Sequence, residues 1–240
     1  MNTTKILLTS QDFIKQFKKC CNSYTSLKIA VAWCGNPAHV YPYNLLETYK
    51  GKMEVLLGTS FYHTHPDSFN WFKKINAKVR VFYDNQLLFH PKIYLFTKGN
   101  EFALFLGSSN FTEGGFFSNV EANVLITGIS SDEKTIKEIK TKINLWNQNE
   151  FSFNPNRKWI TEYKKKYLKC RKKERDAGLY SARQKEEEFG STSWLRNDEW
   201  SNYYKRLKSA IIENDYHIDG LLNLFKMSSK LLKIPWEISY

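Results

Sequence analysis

Short apolar runs alternate with polar segments through the first 130 residues, and their lengths are those of strands in a folded domain. The runs that predict strands are LKIAVAW (27–33), MEVLLGTS (53–60), KVRVFYD (78–84), LFHPKIYLF (88–96), EFALFLG (101–107) and NVEANVLITG (119–128). They are rich in branched and aromatic residues, which is typical of strands with a buried face. The sequence therefore predicts a sheet built from these six strands.

Three other segments have the periodicity of helices. They are SQDFIKQFKKCCNS (10–23), with Ser10 as the predicted N-cap, HPDSFNWFKKIN (65–76), which begins near Asp67 or Ser68, and SSDEKTIKEIKTKINLWNQ (130–148). In the third segment, an apolar stripe recurs at helical spacing and Ser130 with Glu133 fits a capping box; the stripe consists of Ile136, Ile139, Ile143 and Trp146. Strands interrupted by helices predict an α/β fold in layers.

The pattern changes after FNPNR. Residues 158–240 are helix-like, with segments such as WITEYKKKYLKCRKKERDA and DEWSNYYKRLKSAIIEN, and they contain no convincing strand. We therefore predict an α/β domain over residues 1–151 and a basic, helical C-terminal region over residues 152–240.

Composition and cysteine usage narrow the class of protein. With 240 residues, 42% of them hydrophobic, the chain can bury a core, and no apolar stretch reaches the roughly 18 residues that a membrane helix needs. The N-terminus lacks the apolar segment of a signal peptide, and the four cysteines show no CxxC spacing. These features predict a cytoplasmic protein with reduced thiols and no membrane contact.

The formal net charge of +12 indicates a polyanionic partner, most simply nucleic acid, although a solvated basic surface gives the same charge. The excess is densest at 157–175, where ten basic residues meet only Glu162 and Glu174. This stretch is either a solvated helix face or a DNA-contacting one; the candidate contacts are Lys164, Lys165, Lys166, Arg171, Lys172 and Lys173. The aromatic residues Trp194, Trp200, Tyr203 and Tyr204 either stack on bases or pack between helices.

One set of residues carries recognisable chemistry. His90 and Lys92 flank Pro91 inside a predicted strand, where period-two alternation would place both on one face. The turn GSSN (107–110) ends the next strand, and Glu121 lies in the one after it. An imidazole can attack phosphorus. The phosphate oxygens can be stabilised by an ammonium, an amide and a hydroxyl, and a carboxylate can hold the imidazole in one tautomer. Each feature alone is weak, since GSSN is an ordinary turn and Glu121 could be an edge-strand charge. Together they predict phosphoryl transfer.

This set resembles the signature of the phospholipase D superfamily, an H-x-K motif followed by a G-S-x-N turn. The resemblance covers about residues 20–150 and is strongest to the single-motif bacterial nucleases and metal-independent restriction endonucleases of that superfamily. It implies a phospholipase-D-type α/β sandwich, a mixed sheet flanked by helices. By resemblance, His90 is the nucleophile, Lys92 and Asn110 bind phosphate, Ser108 is the serine of the turn, and Glu121 orients the histidine. The aspartate that often follows the lysine is Thr97 here, as in several nucleases of the superfamily, which leaves lipase-like substrate contacts in doubt.

The resemblance implies an endonuclease that cleaves DNA through a covalent phosphohistidine, with no metal or other cofactor. Because the chain has one H-x-K motif, the resemblance also implies a homodimer that shares one active site. Two alternatives stay open: a phospholipid phosphodiesterase or phosphatidyltransferase, and a non-catalytic nucleic-acid-binding module among further defence-system subunits. His63 and His65 could form a metal pair, but without a third ligand at zinc spacing we interpret them as loop residues near the site.

Overall fold

The computed structural model of the protein describes residues 2–39, 41–83, 87–129 and 134–176. The predicted capping pair Ser130 and Glu133 and the tail aromatics at 194–204 lie outside these ranges. The chain divides into a first compact unit, residues 1–171, and a second, residues 172–240. The predicted separation of a nuclease domain from a helical region at residue 152 stays a prediction.

A mixed, eight-stranded sheet forms the centre of the first unit. Its strands are β1 (Thr3–Leu7), β2 (Ser26–Val31), β3 (Lys52–Leu57), β4 (Lys78–Phe82), β5 (Lys92–Lys98), β6 (Glu101–Gly107), β7 (Asn123–Ile129) and β8 (Ser152–Phe153). They are ordered β1-β7-β6-β5-β2-β3-β4-β8. Strands β2, β3 and β4 are parallel, and every other neighbouring pair is antiparallel. All six predicted strands are present, and the predicted mixed α/β sandwich is confirmed.

The two outermost strands were not predicted from the sequence. In β1 only Leu7 is buried, so TTKIL shows no apolar pattern, and the strand is held by its antiparallel ladder with β7. Strand β8 has only two residues. Edge strands of this kind depend on pairing with a neighbour, which a local pattern does not record.

Two predicted strands begin later than expected, and both shifts affect the candidate site. Strand β5 begins at Lys92, so His90 precedes the strand, and Pro91 has no N–H to donate to a ladder. Strand β7 begins at Asn123, so Glu121 also lies outside it. The N–H of Ala122 donates to the Ser108 hydroxyl at 2.9 Å, and a side chain thus replaces the backbone acceptor of a ladder.

Among the described residues, four helices cover the sheet: α1 (Ser10–Ser23), α2 (Pro66–Lys74), α3 (Lys134–Trp146) and α4 (Arg157–Asp176). The N-cap of α1 is Thr9, whose hydroxyl accepts from the N–H of Asp12 at 3.1 Å; the prediction of Ser10 was wrong by one residue. The N-cap of α2 is His65, whose Nδ1 accepts from the N–H of Asp67 at 3.3 Å. His65 can cap a helix because a neutral imidazole nitrogen is an acceptor.

The helices lie on both faces of the sheet, as period-two alternation along the strands requires. Helices α1, α2 and α4 pack on the face formed by Ile29, Val55, Tyr94 and Phe105, among others. Helix α3 packs on the opposite face through Ile136 and Ile143, as the sequence predicted, against Ala30, Leu56, Leu95 and Leu104. None of the helices in the described part of the chain has the length and apolar character needed to cross a bilayer.

Candidate active site

The predicted site residues gather at one end of the central strands of the sheet. Because β5 is antiparallel to β2, its first residue, Lys92, pairs with Val31 at the carboxyl end of β2. Across β6 and β7, Gly107 at the end of one strand pairs with Asn123 at the start of the next. The predicted histidine, lysine, turn and carboxylate therefore lie on segments that leave the sheet at the same end of the strands. Ligands commonly bind at such strand ends in open α/β folds.

His90 and Lys92 are in direct contact. The Lys92 ammonium lies 2.9 Å from Nδ1 and 3.0 Å from Nε2 of the imidazole, and 3.1 Å from the backbone carbonyl of His90. Period-two alternation on a strand is not the cause, because His90 lies outside β5. The carbonyl of Pro91 accepts from the N–H of Ala32 at 2.9 Å, which anchors the residue between them to the end of β2.

Trp33, which the sequence analysis did not single out, is the platform of this cluster. Its indole meets the His90 ring edge to face at a centroid distance of 5.0 Å, and the Lys92 ammonium lies 5.5 Å from the indole centroid. The His63 ring lies against the same indole at 4.8 Å. Trp33 follows β2 by two residues, and its position as the last residue of the predicted strand 27–33 was the available signal.

Asn110 is oriented by the same residue. Its Oδ1 accepts from the backbone N–H of Trp33 at 3.3 Å, and its Nδ2 group makes no hydrogen bond within the described residues. Because the oxygen is bound to the protein, the NH₂ group is the part of the side chain that can donate to a ligand. Gly115 packs so closely on the backbone of Asn110 that a Cβ there would collide with its carbonyl oxygen and amide nitrogen.

Ser108 and Glu121 form a pair of their own. The Ser108 hydroxyl donates to one carboxylate oxygen of Glu121, and the Asn119 amide donates to the other at 3.0 Å. Within the described residues no hydrogen bond joins Glu121 to His90. The structure thus brings Glu121 to the site through Ser108 rather than through the imidazole, and its role as the histidine-orienting carboxylate stays a prediction.

The electrostatics of the cluster favour an uncharged histidine. Partial burial lowers the pKa of His90 below its ordinary value, and the Lys92 ammonium lowers it further. Burial also lowers the pKa of Lys92, while the charge of Glu121 opposes that shift. An unprotonated imidazole beside an ammonium is the state that a nucleophile and a phosphate-binding cation require.

The predicted DNA-contacting residues lie on α4 and differ in whether a carboxylate is paired with them. Lys164 pairs with Asp67 at 2.9 Å and Lys165 pairs with Glu162 at 2.9 Å. Lys166 has no carboxylate partner among the described residues, and it borders a cavity lined by Phe61 and Tyr83. Arg171, Lys172 and Lys173 follow; Lys172 and Lys173 are exposed.

Arg171 reaches the loop that carries His63. One guanidinium nitrogen donates to the carbonyl of Phe61 at 3.2 Å, and another lies 3.4 Å from Nδ1 of His63. His63 therefore lies at the site while His65 caps α2, so the two histidines do not act as a pair. Within the described ranges, no three His, Cys, Asp or Glu side chains gather as a set of metal ligands.

Comparisons with known proteins also indicate a phospholipase-D-like domain. Residues 45–146 match the family model described as "Cardiolipin synthase, PLD-like domain". None of the curated proteins matches the chain.

Several solved structures are similar. NucT from Helicobacter pylori is 16% identical, with a TM-score of 0.46 over 60% of this chain and 95% of its own. Nuc from Salmonella typhimurium, a phospholipase D family member, is 14% identical, with a TM-score of 0.48 over 62% and 96%. Phosphatidylserine synthase from Haemophilus influenzae Rd KW20 is 13% identical, with a TM-score of 0.48 over 71% of this chain and 43% of its own.

Proposed function

We propose that this chain, whose residues 45–146 match a phospholipase-D-like domain, is a phosphodiesterase that cleaves DNA through a covalent intermediate on His90. The observation that carries the proposal is the contact between His90 and Lys92 beside the Trp33 indole, with the Asn110 side chain held by the backbone N–H of the same Trp33. In this proposal His90 supplies the nucleophile, and Lys92 and Asn110 supply two donors for phosphate oxygens before any substrate binds. Preorganised donors of this kind supply a large share of the stabilisation of a charged transition state.

The reaction has two steps. In the first, a ring nitrogen of His90 forms a bond to phosphorus, the bond from phosphorus to the leaving oxygen breaks, and that oxygen takes up a proton. Lys92 and the Nδ2 group of Asn110 stabilise the non-bridging oxygens. In the second step water attacks phosphorus, loses a proton to a base, and releases His90. Covalent catalysis divides one difficult displacement into two easier ones.

The proton for the leaving oxygen needs a donor, and a second copy of the chain is our candidate. Lys92 is a poor donor if it must stay cationic at the phosphate, and the sequence has one H-x-K motif. A twofold axis beside the loops at 107–121 would place a second His90 opposite the first, in line with the leaving oxygen. In this arrangement one histidine attacks, the other acts as acid and then as base, and the dimer has one active site.

The choice of DNA rests on charge. The net charge of +12 and the basic residues of α4 favour a polyanion, and a phosphodiester backbone supplies both the reacting group and the charge. The family description favours one rival, transfer of a phosphatidyl group, because the model that matches is named for cardiolipin synthase. The same His90 would then attack a lipid phosphodiester.

A nicking assay with supercoiled plasmid in EDTA tests the proposal. We expect the wild type to nick the plasmid and His90→Ala to be inactive, with Lys98→Ala on the far end of β5 as an active control. Nicking that requires a divalent ion, or an active His90→Ala variant, would contradict the mechanism. Turnover of phosphatidyl lipid vesicles without plasmid cleavage would instead support the rival.

A further inference from the structure

A cavity of about 370 Å³ opens beside the site. Its walls come from the loop after β3, from Phe82, Tyr83, Leu87 and Phe89, and from helix α4. The aromatic residues that line it are Phe61, Tyr62, Phe82, Tyr83, Phe89, Trp159 and Tyr163. Its volume lies at the small end of the roughly 300–1,000 Å³ range of ligand pockets. It therefore suits a compact, flat group rather than an extended chain.

The cavity borders the segment that carries His90. Phe89 lines it and is the residue before His90. A row of aromatic rings also joins the two: Phe61 lies 6.3 Å from His63, His63 lies 4.8 Å from Trp33, and Trp33 lies 5.0 Å from His90. A group bound in the cavity would thus be a near neighbour of a phosphate bound at His90.

The ring of Phe61 is held out at the rim of the cavity. Its side chain is 62% exposed, and Tyr83, which also lines the cavity, is 58% exposed. Phe61 and Tyr62 both have left-handed backbone conformations, with φ of 58° and 54°, which bulky residues rarely adopt. Arg171 donates to the carbonyl of Phe61 at 3.2 Å. A strained, braced loop that exposes an aromatic ring is typical of a ligand site, since exposure and strain both cost stability.

The charges around the cavity indicate which part of a nucleotide it binds. The lining has one cationic and one anionic residue, Lys166 and Glu162, and therefore no net charge, and the Glu162 carboxylate is paired with Lys165 at 2.9 Å. A nucleobase is flat and uncharged, so it suits a lining of aromatic rings without net charge, on which it can stack. Bases in a duplex are already stacked and paired, so only an unpaired base can enter such a cavity without an added energetic cost.

We propose that this cavity binds the unpaired base of the nucleotide next to the phosphate at His90, and that the preferred substrate is a single strand. The proposal rests on the nuclease function proposed above and names its substrate class. Phe61 is the main stacking surface, with Tyr83 opposite. The loop after β3 then determines which substrate binds, and this role is distinct from the roles of His90, Lys92 and Asn110.

Binding measured without catalysis tests the proposal. In the His90→Ala background, the anisotropy of a labelled single strand of about 15 nucleotides is compared with that of its duplex at fixed salt in EDTA. We expect tighter binding of the single strand. Adding Phe61→Asn should weaken single-strand binding by about tenfold and leave duplex binding unchanged, because stacking of one base is lost. Asn tolerates a left-handed backbone, so this variant should fold.

Two controls and an abasic substrate make the result specific. Phe61→Tyr keeps a stacking ring and should bind like the parent, as should Leu8→Ala, an equally exposed residue near β1. An abasic nucleotide at one position beside the cleaved phosphate should cause the same loss as Phe61→Asn, and the two losses should not add.

The outcomes separate the two proposals. Wild-type cleavage with no effect of Phe61→Asn on single-strand binding would overturn the cavity proposal and leave the nuclease intact. A tenfold loss of binding in a protein that cleaves no polynucleotide would support the cavity and overturn the nuclease. A melting temperature for Phe61→Asn close to that of the parent confirms that the comparison is between folded proteins.

Discussion

The ammonium of Lys92 lies 2.9 Å from Nδ1 and 3.0 Å from Nε2 of His90. An ammonium has only donors, so it can donate to an imidazole nitrogen only if that nitrogen carries no proton, which in the neutral ring holds for one nitrogen of the two. The contact therefore selects the form of His90 that has a lone pair for phosphorus. When substrate binds, the phosphate oxygens are the natural next partners of the same ammonium, and the move would free the imidazole for attack.

The first prediction concerns the pKa of His90. Partial burial and then Lys92 lower this pKa. In the folded protein the His90 imidazole should therefore stay uncharged down to a pH below 6.5, the ordinary pKa of histidine. Lys92→Met removes the positive charge and should raise the pKa, whereas Lys98→Met at the other end of β5 should not. An NMR titration of the His90 ring, assigned by its loss in His90→Gln, measures both. An unchanged midpoint in Lys92→Met would show that the two groups do not interact in solution.

The second prediction concerns Asn110. Its Oδ1 is occupied by the N–H of Trp33, so Asn110→Asp should keep that hydrogen bond but place a negative oxygen where Nδ2 meets phosphate. We expect kcat to fall by at least about a hundredfold, and Lys92→Ala to lose a similar factor, because each removes a donor to the transition state. DNA affinity, measured separately, should change far less. Parallel loss of affinity and kcat would assign these residues to binding instead.

The third prediction concerns α4. Lys164 and Lys165 are already paired with carboxylates, whereas Lys166 has no such partner within the described residues. Lys166→Gln should therefore flatten the dependence of log affinity on log salt by about one unit, and Lys165→Gln should flatten it less. A triple change of Lys15, Lys18 and Lys19 to Gln, on exposed positions of α1, is the matched control. If Lys166→Gln leaves the slope as it was, this face of α4 does not track the phosphate backbone.

The fourth prediction concerns the dimer. If two His90 side chains act on one phosphate, a heterodimer of wild type and His90→Ala should be nearly inactive. Differently tagged chains, purified as mixed dimers, allow the assay. Half of the wild-type activity in the heterodimer would mean that each chain has a complete site. A monomer that is fully active at the assay concentration would have the same meaning.

The sequence predicted the parts of the molecule that local patterns determine. The apolar runs located the central strands, and the stripe of isoleucines located the face of α3 that packs on the sheet. The motif residues His90, Lys92, Ser108, Asn110 and Glu121 were found because spacing and chemistry agree, and the structure places them at one edge. Their roles stay predictions until they are measured.

The features that the sequence did not predict depend on contacts between distant segments. Trp33 forms the platform of the site only because β2 lies beside β5 in the sheet. The hydroxyl of Ser108 bonds to Glu121 only because β6 lies beside β7. Strand β1 has a single buried residue and exists through its pairing with β7. No local periodicity specifies which strands become neighbours, so these relationships required the fold.

The central claim is that His90 becomes bonded to phosphorus, and trapping that bond tests it most directly. A 5′- or 3′-labelled oligonucleotide mixed with an excess of protein in EDTA, then quenched in alkali, should leave label on the protein, because a phosphoramidate at histidine is labile to acid but not to base. Peptide mass spectrometry should place the added phosphorus, with the nucleotide fragment still attached to it, on His90, and His90→Ala should carry no label. Cleavage of the oligonucleotide with no protein-bound phosphate at any quench time would contradict the account, as would an adduct on another residue.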